Sequence, residues 1–246
     1  MNYIRFYEEL NFFLKNKHKK KEIEFLHKEN ISVKKIIEDF GVPHSEVDLI
    51  LVNGKSAGFD HKIEDNDRIS VYPVFESFDL TEVSKVRSEP LRIVKFILDV
   101  HLGRLAKYLR IIGFDSSYCN NYADEKIVEI SLSENRIILT RDIELLKRKN
   151  VTHAYYIRSL NIFKQLKEVL KRFQLEKKIK VFSICPECNN FIKPINKLKV
   201  KNDVPQYIYK THDEFKYCSG CKKIYWKGTH WVNIKQSLSS ILKTGN

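Results

Sequence analysis

The chain has 246 residues, 43% of them hydrophobic, and a formal net charge of +13. That length suits one to three domains with real cores. No run reaches the roughly 18 uninterrupted apolar residues of a membrane span, and the acidic start through Glu8 and Glu9 lacks the basic head of a secretion signal. A cytoplasmic protein with reduced cysteines and no membrane contact is therefore expected. The charge is uneven: residues 1–89 hold 14 Lys+Arg against 17 Asp+Glu, and residues 90–246 hold 30 against 14. The positive excess lies in the C-terminal two-thirds, where its natural partner is a phosphate backbone, that of a nucleic acid.

Residues 2–7 alternate as a strand does, Asn11 to Lys21 is a polar turn region, and Glu22 to His27 alternates again. Ser32 caps a helix from Val33 to Phe40, with Val33, Ile36, Ile37 and Phe40 at helical spacing and Gly41 ending it. Asp48 to Val52 is a strand, Asn53-Gly54 is a hairpin turn, and Arg68 to Val74 is the last strand. This order of strands around one helix is that of a β-grasp. Ile4-Arg5-Phe6-Tyr7-Glu8-Glu9-Leu10, Leu51-Val52-Asn53-Gly54 and Asp67-Arg68-Ile69-Ser70-Val71-Tyr72-Pro73 resemble the ubiquitin-like, sulfur-carrier (ThiS/MoaD-like) domain over residues 1–77. The chain runs on through Val74-Phe75-Glu76 without the free Gly-Gly end of a sulfur carrier, which argues against sulfur transfer. A docking role toward a protein or ribonucleoprotein partner is the expectation for this domain. Residues 78–90 read as a linker closed by Ser88-Glu89-Pro90.

From residue 91 to 178, apolar strands and helices alternate. Strands are expected at Ile93 to Leu98, Ser116 to Cys119, Arg136 to Thr140 and Ala154 to Ile157. Helices are expected at His101 to Ile112, Asp124 to Glu134, Asp142 to Lys149 and Ser159 to Phe173. The alternation argues a parallel sheet flanked by helices, an α/β/α domain.

In such a sheet the ligand site lies beyond the carboxyl ends of the strands. Asp99 and Asp142 each follow an apolar strand, and Asp124 opens the helix after the second one. Acids converging there would repel unless a cation joined them, and magnesium or manganese takes such oxygen ligands. Asp124 and Asp142 read as well as plain helix N-caps. Asp99 closes a buried strand and needs a partner. Arg104 and Arg141 stand near the strand ends, where they would meet phosphates, and Lys107 and Arg110 recur on the same helix face as Arg104.

Phe96-Ile97-Leu98-Asp99, Leu102-Gly103-Arg104-Leu105-Ala106-Lys107-Tyr108-Leu109-Arg110 and Ile138-Leu139-Thr140-Arg141-Asp142 resemble the PIN-like ribonuclease domain named for the C-terminal domain of the Mut-seven exonuclease. The resemblance implies metal-dependent cleavage of RNA, with Asp99, Asp124 and Asp142 holding the ion. The fourth acid frequent in PIN nucleases has no counterpart in Tyr155-Tyr156-Ile157-Arg158-Ser159.

Cys185-Pro186-Glu187-Cys188 and Cys218-Ser219-Gly220-Cys221 are separated by 29 residues. Two such turns make a closed four-thiolate zinc site, structural because no coordination position stays open. The separation exceeds the usual spacing of about 15–20, so a long hairpin is expected between the pairs. Residues 179–240 are thus a zinc ribbon, which the Mut-seven type domain also carries. Lys222, Lys223 and Lys227, interleaved with Tyr225, Trp226, His230 and Trp231, suit single-stranded RNA. The aromatics equally suit the module's own core. The expected whole is a metal-dependent ribonuclease; the alternative is a non-catalytic RNA-binding protein or adaptor.

Overall fold

The computed structural model describes residues 1–27, 29–73, 94–228 and 236. The linker expected at 78–90, together with His230 and Trp231, lies outside the described residues.

The N-terminal sheet holds β1 (Asn2–Phe6), β2 (Ile23–Phe25), β3 (Val47–Val52), β4 (Lys55–Ala57) and β5 (Arg68–Pro73) in the order β2-β1-β5-β3-β4. β1 runs parallel to β5 and antiparallel to β2, the mixed pairing of a β-grasp. Helix α1 (Val33–Asp39) starts where Ser32 Oγ accepts the Lys35 N–H. It buries Val33, Ile36 and Ile37 against Ile4, Phe6, Ile50, Ile69 and Val71, in one continuous apolar core. Asn53 (φ 51°) and Gly54 (φ 78°) both adopt the left-handed conformation that a two-residue hairpin between right-twisted strands requires. The polar turn expected at Asn11 to Lys21 differs. Short 3-10 turns occupy Glu8–Phe12 and Asn16–His18, and Leu10 and Leu14 enter the core. The Asn11 side chain holds this path by donating to Phe6 O and Glu8 O and accepting the Lys20 N–H.

The next region alternates β6 (Phe96–Leu98), α2 (Gly103–Ile111), β7 (Ser116–Ser117), α3 (Asp124–Glu134), β8 (Ile137–Thr140), α4 (Ile143–Lys147), β9 (Ala154–Tyr156) and α5 (Ile162–Arg172). β6 pairs parallel with β7, and β8 pairs parallel with β9, Thr140 lying opposite Tyr156. β6, β8 and β9 are buried throughout, as strands covered on both faces are. Helix α5 begins later than the sequence suggested, because Asn161 Oδ1 accepts the N–H groups of Phe163 and Lys164 and sets the cap there.

The C-terminal sheet is antiparallel, ordered β10 (Ile192–Ile195), β11 (Phe215–Cys218), β12 (Ile224–Trp226). The long interval between the cysteine pairs is not a bare hairpin. It carries a 3-10 turn, Lys197–Val200, and α6 (Gln206–Thr211). Val200, Val204, Ile208 and Tyr209 from this insert cover one face of the sheet, against Phe215, Ile224 and Trp226. The opposite face carries Cys185, Ile192, Cys218 and Tyr225.

Two compact units emerge, Met1–Ile93 with Ser131–Tyr156, and Val94–Ile130 with Ile157–Asn246. The N-terminal sheet thus shares a unit with β8, α4 and β9.

Candidate active site and metal centre

Asp99 leaves the buried strand β6 in extended conformation and is 5% exposed. Its carbonyl accepts the Leu102 N–H (2.9 Å), which starts a single 3-10 turn before α2. The turn is braced by Tyr118, whose hydroxyl donates to Val100 O (3.0 Å). The same ring covers Gly103: a Cβ there would stand 2.6 Å from the Tyr118 phenol carbon and oxygen. A larger residue there would push the Tyr118 ring off this turn.

Asp124 is the first residue of α3, while the preceding Ala123 carbonyl accepts the N–H groups of Lys126 and Ile127. Asp124 therefore sits one place inside the cap position. Asp142 is an N-cap: Oδ1 accepts the Glu144 N–H (2.8 Å), and its own N–H donates to Thr140 Oγ1 (2.9 Å). That cap uses Oδ1. Arg104 is exposed in the first turn of α2, and Arg141 is half-buried beside Asp142.

The four cysteine sulfurs of the C-terminal module lie within 4.8 Å of one another. Cys185 and Cys221 Sγ are 3.5 Å apart, and Cys188 and Cys218 Sγ 3.3 Å, far beyond a disulfide bond of about 2 Å. A tetrahedral ion with Zn–S bonds of about 2.3 Å spaces its sulfurs by about 3.8 Å, so the cluster is a fit for one metal ion such as zinc. The Cys185 N–H donates to Asn190 O (2.7 Å), closing the first cysteine turn. Burial pushes the Cys218 thiol up to about 12. Burial acts upward on Cys188 too, but bonds from the Asn190 side chain and backbone outweigh it and bring that thiol down to about 6. Burial, reinforced by Cys185, raises the Tyr225 phenol, which keeps its proton to donate to Cys185 Sγ (3.0 Å).

Residues 94–238 match the family model described as the Mut7-C RNAse domain, and residues 1–79 match the one described as Mut7-C ubiquitin. The chain belongs to the Mut7-C RNase domain family. The two domains stand in the order expected, a ubiquitin-like domain first, and membership points to a nuclease-like function with RNA as the substrate class. No curated protein and no solved structure matches the chain. No helix among the described residues is long and apolar enough to cross a membrane.

Within the RNase domain the expected RNA contacts divide. Arg110 is not on an RNA-facing surface: it is 6% exposed. Its Nε donates to Ser116 O (2.8 Å) and its Nη1 to Pro186 O (3.1 Å) and Glu187 O (3.0 Å). The fixed fork of the guanidinium suits carbonyls left open where β7 starts and where the first cysteine turn reverses. Lys107 is exposed and paired with Glu187 (2.9 Å), whose other oxygen faces Lys223 (3.8 Å). The bond from Lys107 holds the Glu187 carboxyl below its ordinary range. Lys227 pairs with Glu214, and Lys222 lies 6.0 Å from the Tyr217 ring centre. Sequence reasoning missed Tyr118, Arg110's true partners and Asn189, whose Oδ1 accepts the Ser116 N–H and whose Nδ2 reaches Asp115.

Proposed function

We propose that this chain is a metal-dependent ribonuclease whose divalent ion, magnesium or manganese, is held by Asp99, Asp124 and Asp142. The observation that carries the reading is Asp99, a carboxylate buried at the carboxyl end of a fully buried strand in a Mut7-C RNase domain. A carboxylate at the carboxyl end of such a strand offers a divalent ion a hard oxygen ligand where the ligand site of an α/β sheet lies. Bound at these acids, the ion would supply positive charge to the scissile phosphate and acidify a water. Asp99 and Asp142 bring hard oxygen ligands on short, braced turns, and the cap on Asp142 Oδ1 fixes the direction of Oδ2. Arg104 and Arg141 steady the phosphate oxygens, and Lys107, Lys222, Lys223 and Lys227 follow the RNA backbone. The four cysteines hold one structural zinc ion, in keeping with a reducing, cytoplasmic setting.

A second reading, a non-catalytic RNA-binding protein, is favoured by one observation: Asp142 already has a job as the cap of α4. Cleavage of labelled single-stranded RNA with manganese or magnesium separates the two. Wild type is compared with Asp142→Asn beside an EDTA control. Metal-dependent cleavage, lowered by about 100-fold or more in the variant, is the expected result. Tight RNA binding with no cleavage by wild type would give the case to the second reading.

A further inference from the structure

The turn Pro43–Val47 of the ubiquitin-like domain carries three consecutive polar side chains that are almost fully buried: His44, Ser45 and Glu46 are 6%, 2% and 1% exposed. Polar side chains are buried where they satisfy something. All three reach backbone groups of the RNase domain, within one compact unit. His44 Nε2 meets Val151 O (2.9 Å), with Nδ1 against Glu38 (2.7 Å). Ser45 Oγ donates to Leu146 O (3.3 Å), in the last turn of α4. Glu46 Oε1 accepts the N–H of Tyr156 in β9. The Phe12 and Phe13 rings pack on the Tyr156 ring, each at 5.4 Å between centres.

Two of these bonds bracket Asp142. Tyr156 lies opposite Thr140 in the β8–β9 register, and Thr140 Oγ1 accepts the Asp142 N–H. Leu146 lies in the last turn of the short helix that Asp142 caps. The strand before the Asp142 turn is therefore fixed through Glu46 and β9, and the helix after it through Ser45. We propose that the ubiquitin-like domain works in cis as a clamp on this limb, with Ser45 and Glu46 as positioning residues that set the Asp142 carboxylate. The ubiquitin-like domain is then part of the nuclease architecture, and its Pro43–Val47 turn is committed to its own chain. The catalytic side of this inference rests on the ribonuclease reading; the clamp itself does not.

The test uses the full chain as wild type, Ser45→Ala, Glu46→Ala and Glu46→Gln, the last keeping an oxygen acceptor for Tyr156. Two quantities are read: hydrogen exchange at the Asp142 and Glu144 amides, and the manganese concentration giving half-maximal RNA cleavage, with manganese binding followed by calorimetry. Exchange at Ile4 and Phe6 in β1 reports whether the ubiquitin-like sheet stays folded. Both alanine variants should speed exchange at Asp142 and Glu144 and raise the manganese requirement by about 10-fold, the usual size for losing a group that orients a metal ligand. Glu46→Gln should stay close to wild type. Should Glu46→Ala also open β1, Ser45→Ala decides. Unchanged exchange at both amides, with wild-type manganese dependence in both alanine variants, would overturn the clamp and leave the ribonuclease standing. Faster exchange in a protein that neither cleaves RNA nor binds manganese would do the reverse: the clamp would hold and the ribonuclease reading would fall.

Discussion

The ubiquitin-like domain and the cysteine module are both small sheets, yet they solve stability differently. The first closes α1 over its sheet and joins Ile4, Phe6, Ile37, Ile50 and Val71 in a single apolar core. The second splits its apolar residues into two small clusters, one on each face, and one of them is largely the four cysteines and Tyr225. A sheet of that size buries little surface against the entropy of ordering its chain, and an ion at the four cysteines would supply the difference. The comparison teaches that similar architecture in one chain need not mean similar dependence on a ligand.

The sharpest way to break this contrast is to remove metal. Structural zinc is worth about 10–16 kcal/mol in small modules. A strong chelator should therefore abolish slow amide exchange at Phe215 to Cys218 while Ile4 and Phe6 stay protected. Protection that survives chelation in the cysteine module would show its own packing to be sufficient. The converse variant, Phe6→Ala, removes a fully buried ring from the ubiquitin-like core. It should cost that domain about 3–5 kcal/mol in denaturant melts, with no change in metal content. A metal-linked loss would mean the two regions are not independent in this respect. The smallest effect belongs to Tyr225→Phe, which deletes the donor to Cys185 Sγ. Losing one such bond costs about 1 kcal/mol, or roughly fivefold in metal affinity by chelator competition. Unchanged affinity would assign Tyr225 to packing alone.

Much of the fold was legible in local sequence. Ser32 before an apolar i, i+3, i+4 pattern, Asn53-Gly54 between alternating strands, and the paired cysteines each act over a few residues, and each forms as read. The long hairpin between the cysteine pairs was legible in length but not in content, because the helical insert is short and shares its apolar residues with the sheet it covers. The candidate site was less legible. Asp99, Asp124 and Asp142 show in sequence as strand ends and helix starts, which is a local property; acting together would be a tertiary one. Arg110 looked like its neighbours Arg104 and Lys107, since helical spacing cannot tell a guanidinium that faces solvent from one that finds carbonyls 76 residues away. The Pro43–Val47 turn gave no signal of its contacts, because its partners there are backbone groups more than 100 residues distant, and any sequence supplies those.

Arg110 carries a practical lesson for anyone who wishes to produce the RNase domain alone. A stop near residue 178, where the alternation of strands and helices ends, would strip two of the carbonyl acceptors from a buried cation. It would also remove Lys180, whose N–H closes on Ile112 O and whose carbonyl lies against Gly113. Expression boundaries for this protein should therefore be drawn beyond the second cysteine pair, so that Arg110 and Ile112 keep these partners.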